Sequence, residues 1–230
     1  MKTIGLLGGM SWESTAAYYQ IINREVQKAL GGFHSAKCLM YSVDFHEIEE
    51  CQSAGEWERM GEILSDAAVK LQNAGADFLL ICTNTMHKVA PQVVKSLRIP
   101  LLHIADAAAA AVKEQGIKKT ALLGTRYTME QDFYKDRIAS HGLEVIVPEA
   151  EDRAFINRVI FEELCLGTIS GASRERFVKI IEALSQKGAQ AAILGCTEIG
   201  LLVKQIDTEV PLFDTAEIHA RAAAREALRG

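Results

Sequence analysis

The residues of this 230-residue chain that could do chemistry gather at two places. At Gly195-Cys196-Thr197-Glu198 an apolar run ends at a glycine and then presents a thiol, a hydroxyl and a carboxylate in succession. Cys82-Thr83-Asn84-Thr85 follows an apolar run on the same plan. A shift of 113 residues (188 − 75) carries Gly75 onto Gly188, Cys82 onto Gly195 and Thr83 onto Cys196. Buried parallel strands read as unbroken apolar runs. In open α/β sheets chemistry sits beyond the carboxyl ends of the strands, where helix N-termini offer N–H groups. With Thr197-Glu198 opening a helix, the Cys196 thiol is expected to fall below its ordinary pKa and leave a usable thiolate. A threonine hydroxyl is a much weaker base, suited to donating or relaying a proton. Two such groups facing one small ligand suit a reaction that works on both faces of a carbon.

The elements that must position them alternate. Strands are predicted at 2–7, 38–43, 77–81, 99–106, 119–124, 143–147, before Gly195 and at 210–214. Helices are predicted at 14–30, 56–73, 86–96, 129–140, 153–166 and 173–186, with an alanine-rich one after Asp106 and another at the C-terminus. Residues 44–50 read as an acidic loop. Apolar positions Trp57, Met60, Ile63, Leu64, Ala67, Ala68 and Leu71 have the spacing of a buried helical stripe. This alternation predicts α/β with parallel sheets. Lys2-Thr3-Ile4-Gly5-Leu6-Leu7-Gly8 is echoed by Lys119-Thr120-Ala121-Leu122-Leu123-Gly124, and Ile99-Pro100-Leu101-Leu102 by Val210-Pro211-Leu212-Phe213. Three paired landmarks in one order predict two similar lobes. The first would comprise 1–98 plus 209–230, with the last strand and helix returning to it, and the second 99–208.

Bulk composition excludes several classes. With 49% hydrophobic and 24% charged residues and a formal charge of −5, the chain has no basic surface suited to nucleic acid. No apolar run approaches the roughly 18–20 residues that span a bilayer, so no membrane partner is expected. Five cysteines without a CxxC pair suggest free thiols and a cytoplasmic location. Gly8-Gly9 lacks the rest of a dinucleotide fingerprint, which argues against a nicotinamide site.

Cys82-Thr83-Asn84-Thr85 and Gly195-Cys196-Thr197-Glu198, together with Gly8-Gly9-Met10, resemble the paired motifs of the aspartate/glutamate racemase family, most closely those of bacterial enzymes specific for L-aspartate and L-glutamate. The resemblance extends over nearly the whole chain. It implies two pseudo-symmetric Rossmann-like lobes, an active site in the cleft between them, homodimers, and catalysis with neither pyridoxal phosphate nor metal. It implies Thr83 and Cys196 as the catalytic pair. Met10, Ser11 and Gln52 would line the pocket, Asn84, Thr85, Thr197 and Glu198 would hold the reacting carboxylate, and Thr125 and Thr128 the distal one. Many family members place cysteine directly before Asn-Thr. Here Thr83 stands there and Cys82 one residue earlier, so Thr83 is favoured while Cys82 stays open. Lys88 and Arg126 are the candidate cations for the second carboxylate.

The expected activity is racemisation of aspartate and glutamate by two-base proton transfer at Cα. Maleate-type cis–trans isomerisation, malonate decarboxylation and amino-acid sensing without turnover are the alternatives. Cys38, Cys51 and Cys165 read as structural or surface thiols, and His103 as a structural histidine. His87 is open between a structural and an acid–base role. Glu198 either orients Cys196 or caps the helix after it.

Overall fold

A computed structural model of the chain describes residues 1–229. It divides into two compact units, Met1–Ile104 with His219–Gly230, and Ala105–Ile218.

The first unit opens with β1 (Ile4–Gly8), α1 (Trp12–Leu30) and β2 (Cys38–Ser42). Ser11 caps α1 by accepting from the Ser14 amide. The acidic stretch expected as a loop is instead α2 (Phe45–Ala54). Asp44 caps its start through the His46 amide at 3.0 Å, Gly55 ends it in a left-handed conformation, and Ile48, Cys51 and Gln52 form its buried stripe. Asp44 and Gly55 are the cap signals that its run of carboxylates masks. Next comes α3 (Trp57–Asn73), burying Met60, Leu64, Ala67, Ala68 and Leu71 as the spacing predicts. β3 (Phe78–Ile81) leads into a 3₁₀ turn, Thr85–Val89, and α4 (Ala90–Lys95), so the helix expected over 86–96 is split. The sheet is parallel with order β2-β1-β3. Its core joins Leu7, Met10, Leu79, Ile81 and Met86 to the α2 and α3 stripes.

The chain leaves this unit at the first residue of α5 (Ile104–Glu114). In the second unit β4 (Lys119–Gly124) is followed by α6 (Arg126–Glu130) and α7 (Asp132–Ser140), two helices where one was expected, separated at Gln131 by an extended backbone. Then come β5 (Glu144–Ile146), α8 (Ala150–Glu162), a 3₁₀ turn at Leu164–Leu166, α9 (Gly171–Gln186), β6 (Ala191–Gly195) and the four-residue α10 (Ile199–Leu202). β7 (Leu212–Asp214) and α11 (Thr215–Leu228) finish the chain. This sheet is also parallel, with order β5-β4-β6-β7.

The division differs from the expected one at both crossings. β7 pairs with β6 in the second sheet, so only the helix from His219 onward returns to the first unit. Residues 99–104 stay in the first unit, where Leu101 forms a single parallel bridge with Leu79. The internal symmetry explains both. The Leu79 amide donates to Pro100 O at 2.9 Å, as the Ala192 amide donates to Pro211 O at 2.8 Å. Each X-Pro-Leu segment therefore lies beside the strand of its own unit. The likeness is closest at the ends of α3 and α9. Gly75 and Gly188 both take positive φ (103° and 95°), and Ala76 and Ala189 donate to Leu71 O and Leu184 O, each at 3.1 Å. Among the described residues no helix is long and apolar enough to cross a membrane.

Candidate functional site

In each unit the predicted residues collect at or beside the carboxyl ends of the parallel strands. β1 ends at Gly8, where an added Cβ would lie 2.3 Å from the Thr15 side chain. The Gly9 amide donates to Thr15 Oγ1 at 2.9 Å, and that hydroxyl donates onward to Ser11 O at 2.8 Å. Thr15, which sequence reasoning did not mark, thus ties the Gly8-Gly9-Met10-Ser11 turn to α1. Its only sequence signal is a hydroxyl four residues after a cap. Met10 is buried in the same core cluster as Cys51 and Met86, and Gln52 on α2 is also buried.

β3 supplies Cys82, Thr83, Asn84 and Thr85. The Cys82 amide still donates to Leu7 O at 2.9 Å, so the ladder runs one residue past the strand. Alternation along that ladder sets Cys82 opposite Ile81, which packs on the α2–α3 side. Cys82 is 0% exposed and burial pushes its thiol far above the usual range, whereas Thr83 retains 8% exposure. Asn84 and Thr85 are buried beside it. His87 has both ring nitrogens engaged, Nδ1 with Thr83 O at 2.8 Å and Nε2 with the Ile104 amide at 3.3 Å. That favours a positioning over an acid–base role. Lys88 Nζ lies 3.5 Å from the centre of the Trp57 ring, and desolvation lowers its pKa.

In the second unit β4 and β6 end side by side at Gly124 and Gly195. A Cβ on Gly124 would meet Gly195 O at 2.7 Å, and one on Gly195 would meet Leu123 O at 3.0 Å as well as Leu122 Cδ1 at 2.7 Å, so backbone crowds both positions. Thr125 caps α6, its hydroxyl 3.2 Å from that of Thr128, and Thr128 packs over both glycines. Arg126 stacks on Tyr127 and donates to its hydroxyl at 2.7 Å.

Cys196, 7% exposed, follows directly. Its thiol donates to Glu198 Oε2 at 3.0 Å, and the Thr197 hydroxyl donates to the same oxygen at 2.8 Å. Glu198 therefore orients Cys196, and its side chain makes no capping bond to α10. The expectation of a lowered thiol pKa is overturned. Burial raises it well above the ordinary value, and the Glu198 carboxylate, the Cys165 thiol and the thiol–carboxylate bond add to the rise. The Glu198 amide pulls only weakly the other way. The helix meant to supply the lowering begins at Ile199 and lasts four residues.

Cavities of about 300 Å³ occur in each unit. One lies beside Ser42, Asp44, Asp66 and Lys70, the other beside Leu194, Gly200, Phe213 and Asp214, and neither is lined by the predicted residues. Among the described residues no group of three or more His, Cys, Asp or Glu side chains is placed to hold a metal ion.

Comparison with known proteins bears on the fold and the family. The chain is 56% identical to a candidate Asp/Glu racemase from Yersinia pestis, whose crystal structure it matches with a TM-score of 0.93 over 99% of this chain and 100% of that one. It is 38% identical to an aspartate racemase homologue from Pyrococcus horikoshii, with a TM-score of 0.85 over 99% and 100% of the two chains. The broad specificity amino-acid racemase RacX of Bacillus subtilis is 25% identical over 224 residues, 95% of each chain. The Asp/Glu/Hydantoin racemase family model matches residues 7–223, and the chain belongs to that family.

Proposed function

We propose that this protein interconverts the L and D forms of aspartate and glutamate without pyridoxal phosphate, Thr83 and Cys196 acting on opposite faces of Cα. The observation that carries the reading is the internal repeat. The shift that superposes Gly75 on Gly188 and Phe78 of β3 on Ala191 of β6 also places Thr83 on Cys196. Two copies of one strand end thus offer one proton-transferring group each.

The environment of Cys196 defines its part. At rest it is a neutral thiol that can hand a proton to a carbanion directly. To act as a base it first passes its proton to Glu198 Oε2, 3.0 Å away. The resulting thiolate then removes the Cα proton from one face. The Thr83 hydroxyl delivers a proton to the other face, and the proton held by Glu198 replaces it through solvent, so the cycle is balanced. Backbone N–H groups around Asn84-Thr85 and at Thr197, with those side chains, bind the reacting carboxylate as it gains enolate character. A hydroxyl is a much poorer acid than a thiol, so the Thr83 step is the slower one.

Proton NMR of L-aspartate and L-glutamate in D2O, with chiral chromatography of the same samples, tests the reading. Loss of the Cα–H signal with appearance of the D enantiomer is expected. No exchange with either amino acid would overturn it and direct the same assay to maleate and malonates. Alkylation of thiols should abolish exchange; saturable binding without exchange would indicate a sensor.

A further inference from the structure

Thr83 lies past the last hydrogen bond of its strand, so the sheet does not fix its peptide. In the second unit the corresponding carbonyl, that of Cys196, accepts the Ile199 backbone amide at 3.1 Å. In the first unit a side chain takes this role, the His87 ring at 2.8 Å from Thr83 O. The residue related to His87 by the 113-residue shift is Gly200, so the histidine is particular to the threonine side.

The partners of His87 fix its tautomer. A backbone amide can only donate, so the Ile104 N–H makes Nε2 an acceptor and the proton sits on Nδ1, donated to the Thr83 carbonyl. The ring is 2% exposed and lies 4.3 Å from that of His103 and 6.1 Å from that of His219. His219 also bonds this segment. Its Nε2 donates to Leu102 O at 2.8 Å, and its Nδ1 lies 2.9 Å from the Tyr18 hydroxyl. Leu102 and Ile104, which flank His103 at the point where the chain leaves the first unit, are therefore each held by a histidine ring.

We propose that His87 is a positioning residue for the reaction, holding the Thr83 peptide so that its hydroxyl faces the substrate carbon and tying it to the chain crossing at Ile104. This rests on the racemase reading above. Displacing Thr83 impairs delivery of the second proton but leaves removal and return of the first to Cys196, so its signature is exchange without inversion.

Two substitutions separate the two bonds of the ring. His87→Asn places an amide nitrogen near the Nδ1 position and keeps the bond to Thr83. His87→Gln reaches the Nε2 position, keeping a partner for Ile104 but losing Thr83. With L- and D-aspartate in D2O, His87→Gln should raise the ratio of Cα exchange to inversion roughly ten- to a hundredfold for the enantiomer whose Cα proton faces Cys196, the scale of a misplaced reacting group. His87→Asn should stay within about twofold of the wild type on that scale. A wild-type ratio in His87→Gln, or a ratio raised in His87→Asn as far as in His87→Gln, overturns the proposal. If His87→Gln does not fold, His87→Asn decides alone, a raised ratio counting against. Nitrogen-15 NMR of the histidine rings gives a readout independent of activity. A neutral His87 protonated on Nδ1 is expected, and protonation on Nε2 refutes the bond to Thr83. Wild-type protein inert toward both amino acids overturns the racemase reading and with it the positioning role, while the NMR still decides the hydrogen bond.

Discussion

Cys82 and Thr83 are adjacent, and each could be the group opposite Cys196, so paired substitutions at the two positions test the reasoning most directly. Cys82→Ala removes one sulfur from a fully buried site. A sulfur is about the size of a methylene, so the lost transfer energy is about 0.8 kcal/mol, and the void adds about 0.5 kcal/mol. For a chain of this length a cost of about 1.3 kcal/mol lowers the melting temperature by roughly 3–5 °C. Its thiol lies behind the strand and is held protonated, so neither exchange nor inversion should change by more than about twofold in the folded protein. Thr83→Val keeps the shape of the side chain and removes only the hydroxyl. Melting should move by no more than a few degrees, while inversion falls by about 10² to 10⁴, the usual contribution of a positioned acid or base. Exchange at Cα, served by Cys196, should persist. The assay is the D2O experiment with differential scanning calorimetry on the same preparations. Inversion lost in Cys82→Ala and kept in Thr83→Val would refute both the assignment and the use of strand alternation behind it.

Further outcomes follow from the second unit. Cys196→Ala should abolish exchange and inversion together, measured by loss of the Cα–H signal, while Cys165→Ala retains both. Glu198→Gln removes the proton sink 3.0 Å from the thiol, so exchange should fall by about 10² or more while the fold persists; unchanged exchange would show that Cys196 needs no relay. The raised thiol implies that iodoacetamide labelling of Cys196, followed by peptide mass analysis, accelerates about tenfold per pH unit without levelling below about pH 8.5, the ordinary thiol value. For stability the sign is fixed by the same shifts. The folded-state pKa of Cys82 and of Cys196 lies above the unfolded value, so below about pH 8.5 neither affects stability. Above it the unfolded chain releases protons that the folded one keeps, and each thiol removes up to about 1.4 kcal/mol per pH unit. Urea titrations at pH 8 and 10 should show that loss, and Cys82→Ala should diminish it. Gly124→Ala drives a Cβ onto the Gly195 carbonyl at 2.7 Å and should cost about 1–3 kcal/mol together with activity. The three atoms nearest a Cβ on Gly61 all belong to the flexible Gln92 side chain, so calorimetry should find Gly61→Ala near neutral or slightly stabilising.

What the sequence made legible, and what it did not, divides by the range of the interactions. The repeat and every expected strand but that over 99–106, where only the Leu101 bridge forms and α5 begins at Ile104, could be read because apolar runs and twin glycines are local, and the structure reproduces the repeat in hydrogen bonds as similar as Ala76 to Leu71 and Ala189 to Leu184. α2 was missed because its carboxylates obscured a capped helix with a three-residue buried stripe. β7 was misplaced because Val210-Pro211-Leu212 does not itself say which strand it will join. The pairing of β7 with β6, which includes the bond from Ala192 to Pro211, the counterpart of Leu79 to Pro100, does so. The acidity of Cys196 was misjudged for a related reason. Position after a strand suggests a helix terminus, but the sign of the shift depends on how deeply the thiol is buried and on Glu198 folding back onto it. That correction changes the mechanism more than the assignment. A thiol lowered by a helix would be a ready thiolate and would leave Glu198 idle. A neutral thiol bonded to a carboxylate has to exchange its proton with that carboxylate before it can act as a base. Under the proposed reaction the acid–base unit of the second unit is therefore the pair Cys196–Glu198, and that of the first is the Thr83 hydroxyl, on a residue whose carbonyl is held by His87. The two halves share a backbone plan, and they differ in the side chain that steadies each reacting group.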